Sequence, residues 1–256
     1  MCLIFLSLNN HPTYKLILAA NRDEFYHRKT AAADFWEDHP QILGGRDLEA
    51  NGTWLGMTRS GKISLLTNYR DPKNINPTAP SRGRLVSDYL EGEVQAETYL
   101  KKIEADGSQY NGFNLLTGSV NDLWYFSNYS KGIERLKPGL HGLSNHLLDT
   151  PWPKVVRGKE GIQKILRQQK IASDGLFEFL YDEERAQDDQ LPDTGIGIER
   201  ERALSSMFIK SPNYGSRCST VILVNQQNHA VFAERVYDLT TFEFSVKTFE
   251  FDIKSM

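Results

Sequence analysis

Two stretches near the start, CLIFLSL (2–8) and YKLILAA (14–20), are apolar at almost every position. A strand with one wet face alternates apolar and polar residues, whereas a continuously apolar strand has to be buried on both faces. The intervening NNHPT breaks the run, so the two segments form a hairpin. A hairpin of this kind fits inside a stack, with a second sheet on one side and helices on the other. At 256 residues, with 39% hydrophobic and 11% aromatic residues, the chain carries enough apolar material for a substantial core. No linker-like stretch interrupts it, so a single domain over 1–256 is expected.

Further along, 53–58 and 62–67 flank Ser60-Gly61 as a second hairpin. Ser81 is placed to cap a helix reaching Tyr89, and 94–103 has Ala96, Tyr99, Leu100 and Ile103 on one helical face. Strands follow at 113–117, 123–127 and around 139–144. Pro153 suits the first turn of a helix whose apolar residues are Val156, Ile162, Ile165 and Leu166. Residues 175–184 read as another helix, and AQDDQLPDTGIGIERE as a long polar loop. Strands at 219–224, 230–237 and 244–251 close the chain. Short turns between neighbours make the sheets mainly antiparallel, which gives an α+β protein layered helix–sheet–sheet–helix.

A net charge of −3 gives no footprint for nucleic acid or an anionic membrane. No apolar run reaches membrane-spanning length. CLIFLSL lacks a basic leader and is no signal peptide. Two cysteines, Cys2 and Cys218, make no disulfide framework, and a reduced cytoplasmic setting is the simpler expectation.

Dense polar clusters follow the apolar strands. They are AANRDEF with Asn21, Arg22, Asp23 and Glu24; TNYRDP with Asn68, Tyr69 and Arg70; GLSNHLLDTPWP with Asn145, His146 and Trp152; and YGSRCST with Arg217. GGRD, 44–47, is a weaker fifth. In the first hairpin the head of one strand opposes the tail of the other, so the first cluster lies near Cys2. Each cluster alone also reads as turn formers and structural ion pairs. Cys2 alone reads either as a small buried residue or, once Met1 is removed, as a first residue carrying both a thiol and a free α-amine. Cys218 reads as a small buried residue.

Taken together, MC at the start, AANRDEF, GGRDLEANGTWLG, LLTNYRDP, SRGRLVSDYL, GLSNHLLDTPWPKV, LPDTG and YGSRCSTVILV resemble the NRDE family over nearly the whole chain. That family is related to the transport and Golgi organisation protein 2 family of eukaryotes. It is similar to a branch of the N-terminal nucleophile hydrolases, which implies a four-layer αββα fold. The resemblance implies Cys2 as nucleophile, Asn21 and Asp23 as the N-x-D pattern, Asn68 and Asn145 as the pair shaping the oxyanion site, and Arg217 as an arginine that poises the nucleophile. The bile-salt enzymes of that superfamily carry an arginine before N-x-D where this chain has Ala20, and Arg22 is the candidate replacement.

The implied activity is hydrolysis of a linear amide in a small or acyl-type substrate. The α-amine of Cys2 would serve as base, Arg22 or Arg217 would favour thiolate, and Asp23 would orient the ammonium. Glu24, Tyr69, Arg70, Trp54, His146 and Trp152 are the candidate substrate-facing residues. No cofactor or metal is expected, since no His and carboxylate spacing resembles a metal site. The alternative is a binding or trafficking protein for haem, acyl-CoA or a lipid-like ligand. The histidines, His11, His27, His39, His141, His146 and His229, are scattered, and His146 is the best placed of them.

Overall fold

The computed structural model describes residues 2–254. The expectation that Met1 is removed lies outside the described residues. The chain runs β1 (Cys2–Leu8), β2 (Tyr14–Phe25), β3 (Thr30–Phe35), β4 (Ile42–Asp47), β5 (Leu55–Thr58) and β6 (Lys62–Asn68). Two helices follow, α1 (Gly83–Glu91) and α2 (Ala96–Asp106), and then β7 (Phe113–Ser119), β8 (Asp122–Ser127), β9 (Glu134–Arg135) and β10 (Gly139–Leu143). Helices α3 (Pro153–Ile165), α4 (Ser173–Leu180) and α5 (Ile198–Ala203) lead into β11 (Tyr214–Asn225), β12 (His229–Tyr237) and β13 (Phe244–Asp252).

The strands form two antiparallel sheets, ordered β10-β1-β2-β11-β12-β13 and β3-β4-β5-β6-β7-β8-β9. Three apolar layers hold the stack together. Ile4, Leu6, Leu18 and Ile222 meet Leu43, Met57, Leu65 and Leu116 between the sheets. Leu3, Phe5, Ile17 and Val221 pack under Val155, Ile162, Leu176 and Phe177 of α3 and α4. Leu85, Val86 and Leu90 of α1 and Leu100 and Ile103 of α2 cover Ile42, Leu66, Phe113 and Leu115 of the other sheet. Both faces of β1 are therefore dry, as its continuous apolar run requires. Each large apolar side chain fully buried there is worth about 1.5–3 kcal/mol.

The expected layering is present, with local differences. β2 runs five residues past Ala20, because Asn21 to Phe25 find backbone partners in β11, and Asn21 and Arg22 find them in β1 as well. β11 starts at Tyr214 for the same reason, so YGSRCST is strand rather than approach to one. β3, β4 and the two-residue β9 carry no strong apolar run and were not expected. Ser81 does not cap α1. Arg82 holds the N-cap position and makes no side-chain cap bond. Val155, not Val156, faces the core from α3. The long polar loop contains α5, fastened by buried Glu201, which accepts bonds from Thr194 N and Oγ1 at 2.8 and 2.5 Å and from Arg70 Nη1 at 2.6 Å.

Gly158 lets α3 lie directly on β1: a Cβ there would sit 1.9 Å from Cζ of buried Phe5. Gly158→Ala is expected to lower stability by about 1–3 kcal/mol despite alanine's better helix propensity. Urea unfolding followed by circular dichroism checks this.

Candidate active site

Alternation along β2 assigns its polar residues to opposite faces. Leu16, Leu18 and Ala20 join the core between the sheets, while Ile17 and Ala19 face the helices. Continuing the count, Arg22 and Glu24 fall on the inter-sheet side and Asn21 and Asp23 on the helix side. The strand register sets Cys2 opposite Arg22. Cys2 continues the inter-sheet row of Ile4, Leu6 and Leu8 on β1.

Where this row ends, a cavity of about 290 Å³ opens, bordered by Cys2, Arg22, Asp23, Glu24, Trp54, Asn68 and Arg82. The Arg22 guanidinium lies over the Trp54 ring, 4.3 Å from its centroid. Its Nη2 is 3.8 Å from Glu24, and its Nη1 has no partner among the described residues. Burial pushes the Cys2 thiol up, Asp23 and Glu24 add to that, and Arg22 opposes it. Burial also raises the Glu24 carboxyl, yet its net shift is downward; the Phe25 amide, Arg22 and Arg28 are among the groups favouring its charge.

Asn68 borders the cavity, and Asn145 stands directly behind it. The Asn145 Nδ2 donates to Asn68 O at 3.1 Å, and Asn145 O accepts from Arg70 N at 2.8 Å. The buried Asn145 amide thus fixes the end of β6 and does not itself reach the cavity. The Asn145 loop is held in turn by Asp149, in the left-handed region at φ 58. Asp149 accepts from Gly142 N at 2.9 Å and Lys159 Nζ at 2.8 Å and pairs with His141 Nδ1 at 2.8 Å.

On the helix side, Asn21 acts as a bracket. Its Nδ2 donates to Leu180 O at 3.0 Å and Met207 O at 2.9 Å, and its Oδ1 accepts from Ser219 Oγ at 2.6 Å. Asp23 accepts from Ser216 Oγ at 2.6 Å. Burial raises its carboxyl, and Lys154 and that bond pull it back. Lys154 is itself fully buried and is depressed by burial to about 8.

Several candidates do not reach the cavity. Tyr69 stacks on Tyr129 with ring centroids 4.0 Å apart and bonds His146 Nε2 at 2.9 Å; His146 Nδ1 meets Thr150 Oγ1 at 2.9 Å. Both ring nitrogens of His146 are therefore engaged. Arg70 pairs with Glu201 and lies 4.8 Å from the Trp152 ring centroid, in a separate small void. Arg217 donates to the carbonyls of Phe25 and Arg28 and borders a second small pocket with Cys218 and Glu234. In each case neighbouring residues on a strand or loop point opposite ways, which spacing alone does not settle. Among the described residues no histidine borders the cavity. Nor is any cluster of His, Cys, Asp and Glu among them placed to hold a metal ion, and no helix among them is long and apolar enough to cross a membrane.

Arg28, Asp47, Ser81 and Arg82 border the cavity and were missed as site residues. Asp47 ends GGRD and Ser81 and Arg82 begin SRGR, whereas Arg28 lies just past AANRDEF and belongs to none of these motifs. Asp47 takes Arg28 at 2.6 Å. Gly45 is needed because a Cβ would lie 2.1 Å from Cη2 of Trp54.

The family profile described as Transport and Golgi organisation 2 matches residues 1–239. The chain belongs to this family. It is 39% identical to the Transport and Golgi organization protein 2 homolog of Bos taurus, covering 97% of this chain and 100% of that protein. It is 38% identical to the Homo sapiens homolog over the full length of both, and 31% identical to the Drosophila melanogaster protein over 91% of each. Among solved structures, a Caenorhabditis elegans N-acylethanolamine-hydrolyzing acid amidase ortholog aligns with TM-score 0.50 at 11% identity, covering 87% of this chain and 92% of that one. A mutant conjugated bile acid hydrolase from Clostridium perfringens aligns with TM-score 0.50 at 8% identity, covering 99% and 98%. The Transport and Golgi organisation 2 family member described here therefore has the N-terminal nucleophile hydrolase-like αββα fold.

Asn21→Ala strands two buried carbonyls and a hydroxyl, so it is expected to cost about 2–4 kcal/mol in chemical unfolding. The Asp149 cluster gives a pH signature. Its carboxyl, lowered from 3.8 to about 2 by the bonds from His141 and Lys159 against burial, stabilises fully above 3.8. That contribution is lost as pH falls toward 2. His141 is raised above 6.5, chiefly by the Asp149 bond, so its share is complete below 6.5 and lost as pH rises through the raised value. Asp149→Asn is expected to flatten both flanks of a plot of Tm against pH.

Proposed function

We propose that this chain is a cysteine hydrolase of the N-terminal nucleophile type, cleaving a linear carbon–nitrogen amide bond in a small substrate. The observation that carries the reading is the pairing of Cys2 with Arg22 at a polar cavity that Asn68 also borders. Two proteins sharing the fold are named as an amidase and a hydrolase, and the reading extends that reaction class to this chain. Removal of Met1 gives Cys2 a free α-amine, whose ordinary pKa is about 7.7–8.0.

In acylation, Cys2 Sγ attacks the carbonyl carbon and the thiol proton passes to the α-amine. Negative charge collects on the carbonyl oxygen, where the Asn68 side-chain amide donates; Asn145, bonded to Asn68 O, positions it. Arg22 stabilises the sulfur anion, and Asp23 orients the ammonium. The C–N bond then breaks, and the ammonium returns its proton to the leaving amine. Water cleaves the thioester: its hydroxyl joins the acyl carbon, and its proton restores the thiol. Loss of one oxyanion donor costs about 10²–10³ in turnover, so Asn68→Ala is expected to show that loss.

A reduced, cytoplasmic setting belongs to the same reading. Cys2 and Cys218 both oppose Arg22, one on each side of β2. Two strand spacings put their Cα atoms about 9–10 Å apart, beyond disulfide reach.

One observation favours a second reading, a binding protein that keeps the scaffold without turnover. Burial raises the Cys2 thiol, which works against the thiolate. On that reading the ligand is haem, an acyl-CoA or another lipid-like molecule, and haem would enter a cavity that no described histidine borders.

Intact mass of protein expressed with its native N-terminus, together with a Cys2→Ala variant, separates the two. Loss of one methionine, with amidase turnover abolished in Cys2→Ala at unchanged Tm, supports hydrolysis. Full retention of Met1 rules out the α-amine as base. Ligand binding unaltered by Cys2→Ala, in protein without turnover, supports the second reading.

A further inference from the structure

The charges around the cavity do not all pair off. Arg28 is taken by Asp47 at 2.6 Å. Arg22 has Glu24 at 3.8 Å. Asp23 has buried Lys154 as an opposing charge on the helix side. Arg82 has no close partner: its Nη1 donates to Gly112 O at 2.8 Å, among the described residues no carboxylate forms an ion pair with it, and Glu24 on the same cavity favours its charge only at longer range.

Arg82 is also the N-cap of α1, and Ser81, Arg82 and Gly83 together border the cavity. This nine-residue helix starts without a side-chain cap bond and without an acidic residue in its first turn. Helix starts carry unpaired N–H groups and a partial positive charge, and they usually recruit an acidic or hydroxyl side chain. Here the chain supplies a cation instead. Arg22 adds an independent sign: it borders the same cavity, is 5% exposed, and its enclosed Nη1 has no partner among the described residues.

The first-turn amides of Arg84 and Leu85 already donate to Ser81 O and Arg82 O at 3.3 and 3.0 Å, so the start of α1 contributes its partial positive charge rather than free donors. That charge and the Arg82 and Arg22 guanidiniums border one space, and Cys2 lies on its wall. These are complementary to a compact oxyanion. A volume of about 290 Å³ is at the low end for ligand pockets, which favours a short molecule.

We propose that the substrate is a small acidic amide, with its carboxylate or phosphate held by Arg82 beside the Arg22 guanidinium, at the positive end of α1, while its amide carbonyl lies at Cys2. The choice of substrate rests on the hydrolase reading, whereas the anion site does not.

Isothermal titration of Cys2→Ala protein, which cannot turn over its ligand, tests the anion site with three matched probes. They are N-butyrylglycine, the neutral N-butyrylglycinamide and N-butyryl-phosphoethanolamine. At least one acid is expected to bind about 10-fold or more tightly than the neutral amide. Arg82→Gln, which keeps a donor for Gly112 O, is expected to erase that preference, lowering the affinity for the acid far more than that for the neutral amide. Arg82→Lys, which keeps the charge, is expected to retain part of it and serves if the glutamine variant fails to fold. Which acid binds more tightly distinguishes carboxylate from phosphate. Equal affinity for acid and neutral amide, including no measurable binding of either acid, overturns the proposal. So does an acid preference that survives in Arg82→Gln. Acid preference in Cys2→Ala protein without hydrolysis of any probe by the protein bearing Cys2 leaves the anion site standing and removes the hydrolase reading.

Discussion

The structure depends on β2 being sandwiched on four sides. β1 and β11 hydrogen-bond its two edges, the second sheet covers one face, and α3 and α4 cover the other. A strand in this position cannot slip by one residue, because a slip would exchange every side chain between two different dry layers. The same rigidity extends beyond the apolar part of the strand. Asn21 to Glu24 are held in strand geometry by neighbours that are themselves locked, so four polar residues keep fixed directions at the edge of a cavity.

That alternation divides the polar segment into two functions. Asn21 and Asp23 enter the helix layer, where a buried polar group is costly unless bonded. Asn21 uses its amide fully, and Asp23 is supported by Ser216 and Lys154. Arg22 and Glu24 face the cavity, where Arg22 is steadied by the Trp54 ring rather than by a close carboxylate. Trp54 reaches that place only because residue 45 is glycine. The site thus rests on both sheets, with Cys2 and Arg22 from one and Trp54 and Asn68 from the other, and its separation is set by the thickness of the apolar layer between them.

Much of this was legible in sequence. The unbroken apolar runs of β1 and β2 required burial on both faces, and the hairpin geometry put Cys2 beside the NRDE segment. The motifs from MC to YGSRCSTVILV identified the family. Other features were not legible. β3 and β4 have mixed composition and become strands only by joining an existing sheet edge. Ser81 has the chemistry of a cap, yet Arg82 takes the position because Gly83 is anchored through its carbonyl to Thr53 N at 3.2 Å. Tyr69, Arg70, His146 and Trp152 sit in the right motifs but point into neighbouring networks, because a strand end sends successive side chains to different layers.

The sequence by itself determined which strands are buried, which residue heads the first of them, and that a polar cluster lies opposite it. These follow from local periodicity and from the register of one short hairpin. Tertiary structure decided which members of each cluster share a space. Arg82 comes from a helix start some sixty residues from Arg22, and no local pattern relates the two. Their meeting depends on how two sheets and their covering helices stack, which is a property of packing across the whole chain.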